Sequence, residues 1–133
     1  MLDELFKALN RHQVNLKACI LKCNMVSAGK QFMAESTPDE VGRATVRVLR
    51  SNVPLDLAGI VFLSGGQTPE QATANLAAIM SRQPFAWPVS FSFSRALQNP
   101  ALEAWAGDTA NRGATQGALS ERLLENTRVL RAN

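Results

Sequence analysis

The sequence predicts an α/β fold: three parallel strands joined by helices, about five helices in all, in a single domain spanning residues 1–133. Two observations predict it. Short apolar runs bounded by turn residues alternate with longer stretches of helical periodicity, which is the pattern of successive β/α units. Two of the helical stretches also open with the same chemistry, Thr37-Pro38-Asp39-Glu40 and Thr68-Pro69-Glu70-Gln71. Each supplies a hydroxyl cap, a proline where its missing N–H costs nothing, and an acceptor three residues after the cap. Helices of this length can cross a sheet and return the chain parallel to itself, with the usual right-handed sense.

The elements follow in order. Leu2, Leu5, Phe6 and Leu9 form one apolar stripe and predict a helix over residues 2–13. Residues 18–26, Ala-Cys-Ile-Leu-Lys-Cys-Asn-Met-Val, are short and apolar enough for a buried strand, which Ser27-Ala28-Gly29 ends. After a polar loop, the helix opened by Thr37 runs to Arg50 with Val41, Ala44, Val48 and Leu49 inward. Residues 58–63 are the second strand, and Ser64-Gly65-Gly66-Gln67 turns the chain into a helix that faces Ala72, Leu76, Ile79 and Met80 inward and stops before Pro84. In the third strand, 87–93, Trp87, Val89, Phe91 and Phe93 alternate with Pro88, Ser90 and Ser92. Asn99-Pro100 opens a short helix ending near Gly107, and residues 112–131 form a last helix bearing Leu119, Leu123, Leu124 and Leu130.

Composition narrows the function. With 46% apolar and 19% charged residues and a mean hydropathy of −0.07, the chain is globular rather than disordered. The net charge of +3 comes from scattered residues: Arg43, Arg47 and Arg50, then Arg122, Arg128 and Arg131. Spacings of three and four read as solvated helix faces, so no nucleic-acid partner is expected. No apolar run approaches the roughly 18 residues of a membrane span, and the acidic start Asp3-Glu4 is unlike a signal peptide; no membrane partner and a cytoplasmic location are expected. Cys19 and Cys23 lie about 13 Å apart on an extended strand, too far for a disulfide, and read as buried free thiols. His12 is the sole histidine, so no metal or other cofactor is expected.

Three features carry candidate chemistry. Lys22 interrupts an apolar strand and shares a face with Ile20 and Asn24. A desolvated amine is nucleophilic toward carbonyls; an edge-strand lysine that blocks aggregation is the alternative. Ser64 and Gly65 lie between a strand end and a helix start, where backbone N–H groups can meet an anion, although a plain tight turn has the same composition. Ser94 and Arg95 occupy the corresponding place after the third strand, where a guanidinium suits bidentate phosphate binding or simply faces solvent. All three lie at the carboxyl ends of successive parallel strands, the edge on which β/α folds place their sites. Together they describe a site for a phosphorylated carbonyl compound.

These residues also carry a resemblance. Ile20-Leu-Lys-Cys-Asn-Met-Val26, Gly59-Ile-Val-Phe-Leu-Ser-Gly-Gly-Gln67 and Phe91-Ser-Phe-Ser-Arg-Ala-Leu-Gln98 closely resemble class I fructose-1,6-bisphosphate aldolase, and the likeness extends over nearly the whole chain. It implies a partial β/α barrel equivalent to the last three β/α units of a TIM barrel, since a complete eightfold barrel needs roughly 200 residues or more. It implies that Lys22 forms a Schiff base with a ketose, and that Ser64, Gly65, Ser94 and Arg95 bind substrate phosphate. The implied reaction is the glycolytic cleavage of fructose 1,6-bisphosphate into two triose phosphates.

The chain departs from the family pattern in three ways. Cys23 stands where the family has proline after the lysine, and Ser94 where it has glycine before the arginine. The family's proton-transfer residues on the first five strands and its C-terminal tyrosine have no counterpart in this tyrosine-free sequence. The alternative expectation is therefore a non-catalytic sugar-phosphate-binding or assembly module. In either case a homo-oligomer, or a chain supplying the missing strands, is the expected partner.

Overall fold

The computed structural model describes residues 1–29, 32 and 36–132. Most of the polar loop expected before Thr37 lies outside the described residues. The elements are α1 (Leu2–Arg11), β1 (Ile20–Asn24), α2 (Pro38–Asn52), β2 (Gly59–Leu63), α3 (Pro69–Met80), β3 (Val89–Phe91), α4 (Arg95–Trp105) and α5 (Arg112–Arg131). Short 3₁₀ turns precede β1 and α5. The strands form one parallel sheet in the order β1-β2-β3, with Lys22 opposite Val61 and Val61 opposite Ser90.

Both expected capping boxes are present. Thr37 accepts from Glu40 N while the Glu40 carboxylate accepts from Thr37 N, and Thr68 and Gln71 repeat the exchange at α3. Those bonds hold the Glu40 carboxyl below its ordinary range. The helices seal one face of the sheet: Val41, Val46 and Leu49 of α2 and Ala72, Leu76 and Ile79 of α3 cluster with Ile60 and Phe62. Leu21, Cys23, Val89 and Phe91 extend this face. Period two then sends Ile20, Lys22 and Asn24 to the opposite face, which no element covers among the described residues.

The structure corrects several expected boundaries and burials. β1 is shorter than 18–26 and β3 shorter than 87–93, although Pro88 O and Ser92 N still bond to β2 (2.9 and 2.8 Å). Trp87 is nevertheless buried, its indole N–H donating to Pro54 O (2.7 Å). α4 begins at Arg95 rather than Asn99, so Pro100 lies inside the helix. A proline there removes the N–H that would bond to Ala96 O. That carbonyl instead accepts from Arg122 Nε at 3.4 Å.

The leucine periodicity of α5 misassigns its packed face. Leu119, Leu123 and Leu124 are exposed, while Arg122 and Asn126, four apart, turn inward. Arg122 is therefore not on a solvated face. Cys19 and Cys23 are free and half-buried.

Gly42 marks a close contact between α2 and α3, because a Cβ there would lie 2.8 Å from the Ala78 carbonyl carbon and oxygen of α3. Backbone cannot yield as a side chain can. Gly42→Ala is expected to destabilise the fold by about 1–3 kcal/mol. Urea denaturation should show a lower midpoint at unchanged slope, and an unshifted midpoint would place α2 farther from α3 than described.

Candidate functional site

Lys22 is the central residue of β1, one strand from β2 and two from β3. Neighbouring strands lie about 4.8 Å apart, so its Cα is roughly 10 Å from β3. The lysine is exposed on the open face, and its ammonium has no hydrogen bond or ion pair among the described residues. Of its apolar neighbours in the strand, Leu21 and Cys23 pack on the other face and Ile20 is itself exposed, so these residues do not cover it. β1 remains paired through Asn24 opposite Leu63, and Cys23 fits the ladder without loosening the strand end. Just beyond, Met25 is buried and Val26 N donates to Thr45 Oγ1 of α2 at 2.9 Å. That bond anchors the chain as it leaves the sheet.

The turn after β2 is held from both sides. Gln67 N donates to Ser64 O (3.1 Å), and Gly66 adopts φ 81°, a left-handed value that suits glycine. Asn75 of α3, buried, donates to Gln67 Oε1 at 2.8 Å. Ser64 is buried, whereas Gly65 and Gly66 are exposed, and their N–H groups have no acceptor among the described residues. A methyl group on Gly65 would lie 3.6 Å from Asn24 Oδ1, which puts this turn beside the open-face end of β1.

After β3, Ser94 precedes α4 with φ −110°, so this backbone does not require the glycine of the family pattern. Its hydroxyl lies 3.4 Å from Gln98 Oε1. Arg95 is the first residue of α4, exposed and without an ion pair among the described residues. Gly66, Gln67, Thr68, Pro69, Arg95 and Asn99 line one cavity of about 380 Å³. That is an order of magnitude above the roughly 30 Å³ of one water, ample for a phosphate group. The cavity joins the loop after β2 to the start of α4 and lies between two helix N-termini, both of which favour an anion. Of the expected site residues, Arg95 lines it directly. Gly65 and Ser94 adjoin its walls in the chain, Ser64 lies one residue further back, and Lys22 stands apart on the open face.

The family model described as fructose-bisphosphate aldolase class-I matches residues 1–132. The chain belongs to the class I fructose-bisphosphate aldolase family. It is 47% identical to human fructose-bisphosphate aldolase B over 127 residues, 95% of this chain and 35% of that protein. Identity to the Drosophila melanogaster aldolase is 45% over 128 residues, again 95% of this chain and 35% of the relative. A solved aldolase from Plasmodium falciparum, in complex with TRAP and a small-molecule inhibitor, superposes with a TM-score of 0.93 at 42% identity. It covers 97% of this chain and 37% of its own. The chain thus spans about a third of these aldolases, and the expected partial barrel agrees with the open parallel sheet.

Sequence reasoning overlooked two buried polar residues beside the site, Thr45 and Asn75. The signal was available, since Thr45 lies four residues after Val41 and Asn75 three after Ala72, on helix faces already assigned to the core. No group of three or more His, Cys, Asp or Glu side chains that could hold a metal occurs among the described residues.

Burial pushes the Cys23 thiol up to about 11 from an ordinary 9.0. At pH 8, iodoacetamide is expected to alkylate Cys23 roughly a hundredfold more slowly than an ordinary thiol, as timed by peptide mass spectrometry. An ordinary rate would mean that the thiol is not buried. The unfolded thiol loses its proton at lower pH than the folded one. Between about pH 9 and 11 the unfolded chain therefore binds fewer protons, and stability falls as pH rises.

Proposed function

We propose that this chain carries the nucleophile and the phosphate site of a class I aldolase, an aldehyde-lyase acting in cytoplasmic glycolysis on fructose 1,6-bisphosphate. Lys22 is the Schiff-base residue. Its amine attacks the ketone carbon, and the carbonyl oxygen departs as water. The protonated imine then accepts the electron pair of the breaking carbon–carbon bond, releasing an aldehyde and leaving an enamine. Protonation and hydrolysis of that enamine release dihydroxyacetone phosphate and return the free lysine. Ser64, Gly65, Ser94 and Arg95 with the adjoining Gly66 hold a substrate phosphate, and no cofactor takes part.

The observation that carries this reading is the placement of the cavity. An arginine without an ion pair among the described residues, a glycine turn and two helix N-termini converge on one cavity at the carboxyl edge of a sheet whose open face carries Lys22. Further strands closing over that face, from a longer chain or a partner, would desolvate Lys22 and supply the proton-transfer groups. Without such groups the rate falls by about 10²–10⁴-fold. The uncovered face also favours a second reading, a non-catalytic sugar-phosphate-binding or assembly module that pairs with a further chain or a second copy of itself.

Borohydride reduction in the presence of dihydroxyacetone phosphate is expected to fix one adduct on the peptide containing Lys22, and Lys22→Met should abolish it. An unmodified Lys22, or labelling spread evenly over Lys7 and Lys17, would refute the nucleophile assignment. A chain that binds phosphate but shows no turnover even with an N-terminal half-barrel added would establish the module.

A further inference from the structure

The cavity between Gly66 and Arg95 has two walls on different helices, and something must set the gap between them. Arg122, on the distant α5, reaches both. Its Nη2 donates to Pro69 O (2.5 Å) and to Thr73 Oγ1 (2.7 Å) in the first turns of α3, and its Nε donates to Ala96 O (3.4 Å) in the first turn of α4. Pro69 lines the cavity and directly follows Thr68; Ala96 directly follows Arg95. The same guanidinium therefore grips both helices within one residue of the cavity wall.

Several features make this grip specific. Pro100 leaves Ala96 O without its helical donor, so the acceptor that Arg122 uses exists because of that proline. The Arg122 side chain is buried and paired with Glu125. Asn126, fully buried, donates to Arg122 O (2.8 Å) and lies 3.1 Å from the Thr73 hydroxyl. A guanidinium presents its donors in a rigid fork, and a lysine cannot span two helices in this way.

We propose that Arg122 is a positioning residue for substrate phosphate: by tying Pro69 to Ala96 it fixes the distance between the Gly66 turn and Arg95, without touching the anion itself. The proposal rests on the phosphate half of the function given above, and is independent of whether Lys22 is the nucleophile.

The test is titration of the full chain with inorganic phosphate, followed by the backbone amide resonances of Gly66, Gln67 and Arg95. Phosphate is expected to shift all three in the parent chain. Arg122→Lys keeps the charge but loses the fork, and should raise the phosphate Kd about five- to tenfold while the remaining resonances keep their folded dispersion. Thr73→Val removes one anchor at nearly constant volume and should raise it about two- to threefold, which decides the matter if Arg122→Lys does not fold. An unchanged Kd in a folded Arg122→Lys chain, or in Thr73→Val where the first variant is unfolded, overturns the positioning role and leaves the phosphate site standing. A parent chain without a response at Gly66 and Arg95 overturns the site and the positioning role together.

Discussion

Phe62 lies on the central strand, wholly removed from solvent beneath α2 and α3, and the arrangement of the site follows from that burial. A strand alternates faces, so sealing Phe62 and Ile60 under helices commits Val61 and Leu63 to the opposite side. Register carries the same division into β1, where Cys23 pairs with Phe62 and Lys22 with Val61. A one-residue slip would exchange the two faces, burying the lysine among helices and exposing the core. The position of Lys22 is thus a consequence of packing on the face that it does not share.

The same constraint explains why the candidate residues gather at the carboxyl edge. Each crossover leaves its strand there and must start a helix, and a helix start leaves backbone N–H groups unsatisfied. At α3 the capping box occupies some of them, and in the turn just before it the exposed Gly65 and Gly66 have N–H groups without an acceptor among the described residues. Arg95 adds a full positive charge at the neighbouring helix start. Folding two crossovers side by side therefore brings two electropositive helix starts to the lining of one cavity.

How legible this was in the sequence depends on how local each signal is. Thr37 with Glu40 and Thr68 with Gln71 specify their helix starts through contacts three residues apart, and both starts fall where the sequence puts them. The apolar run of β2 and the identities of Lys22 and Arg95 are equally local. Pro100 misleads because a proline commonly opens a helix, whereas here it sits in the interior of α4 and its lost bond is made good by a residue 26 positions away in sequence. The burial of Lys22 misleads because apolar neighbours along a strand occupy both faces, and a run of letters does not say which face a helix covers.

The leucines of α5 show the limit of hydrophobic periodicity most sharply. Leu119, Leu123 and Leu124 outnumber the polar pair Arg122 and Asn126, yet the polar pair is buried. Removing a guanidinium from water is costly unless its donors are satisfied, and here two carbonyls, a hydroxyl and the Glu125 carboxylate satisfy them. Apolar docking of α5 would hold it against α3 and α4 with little preference for one register, because burial is not directional. Three directed hydrogen bonds from one side chain to α3 and α4 favour a single register. In this fold that register bears on where α3 and α4 begin relative to one another, and the cavity lined by Pro69 and Arg95 lies at those beginnings.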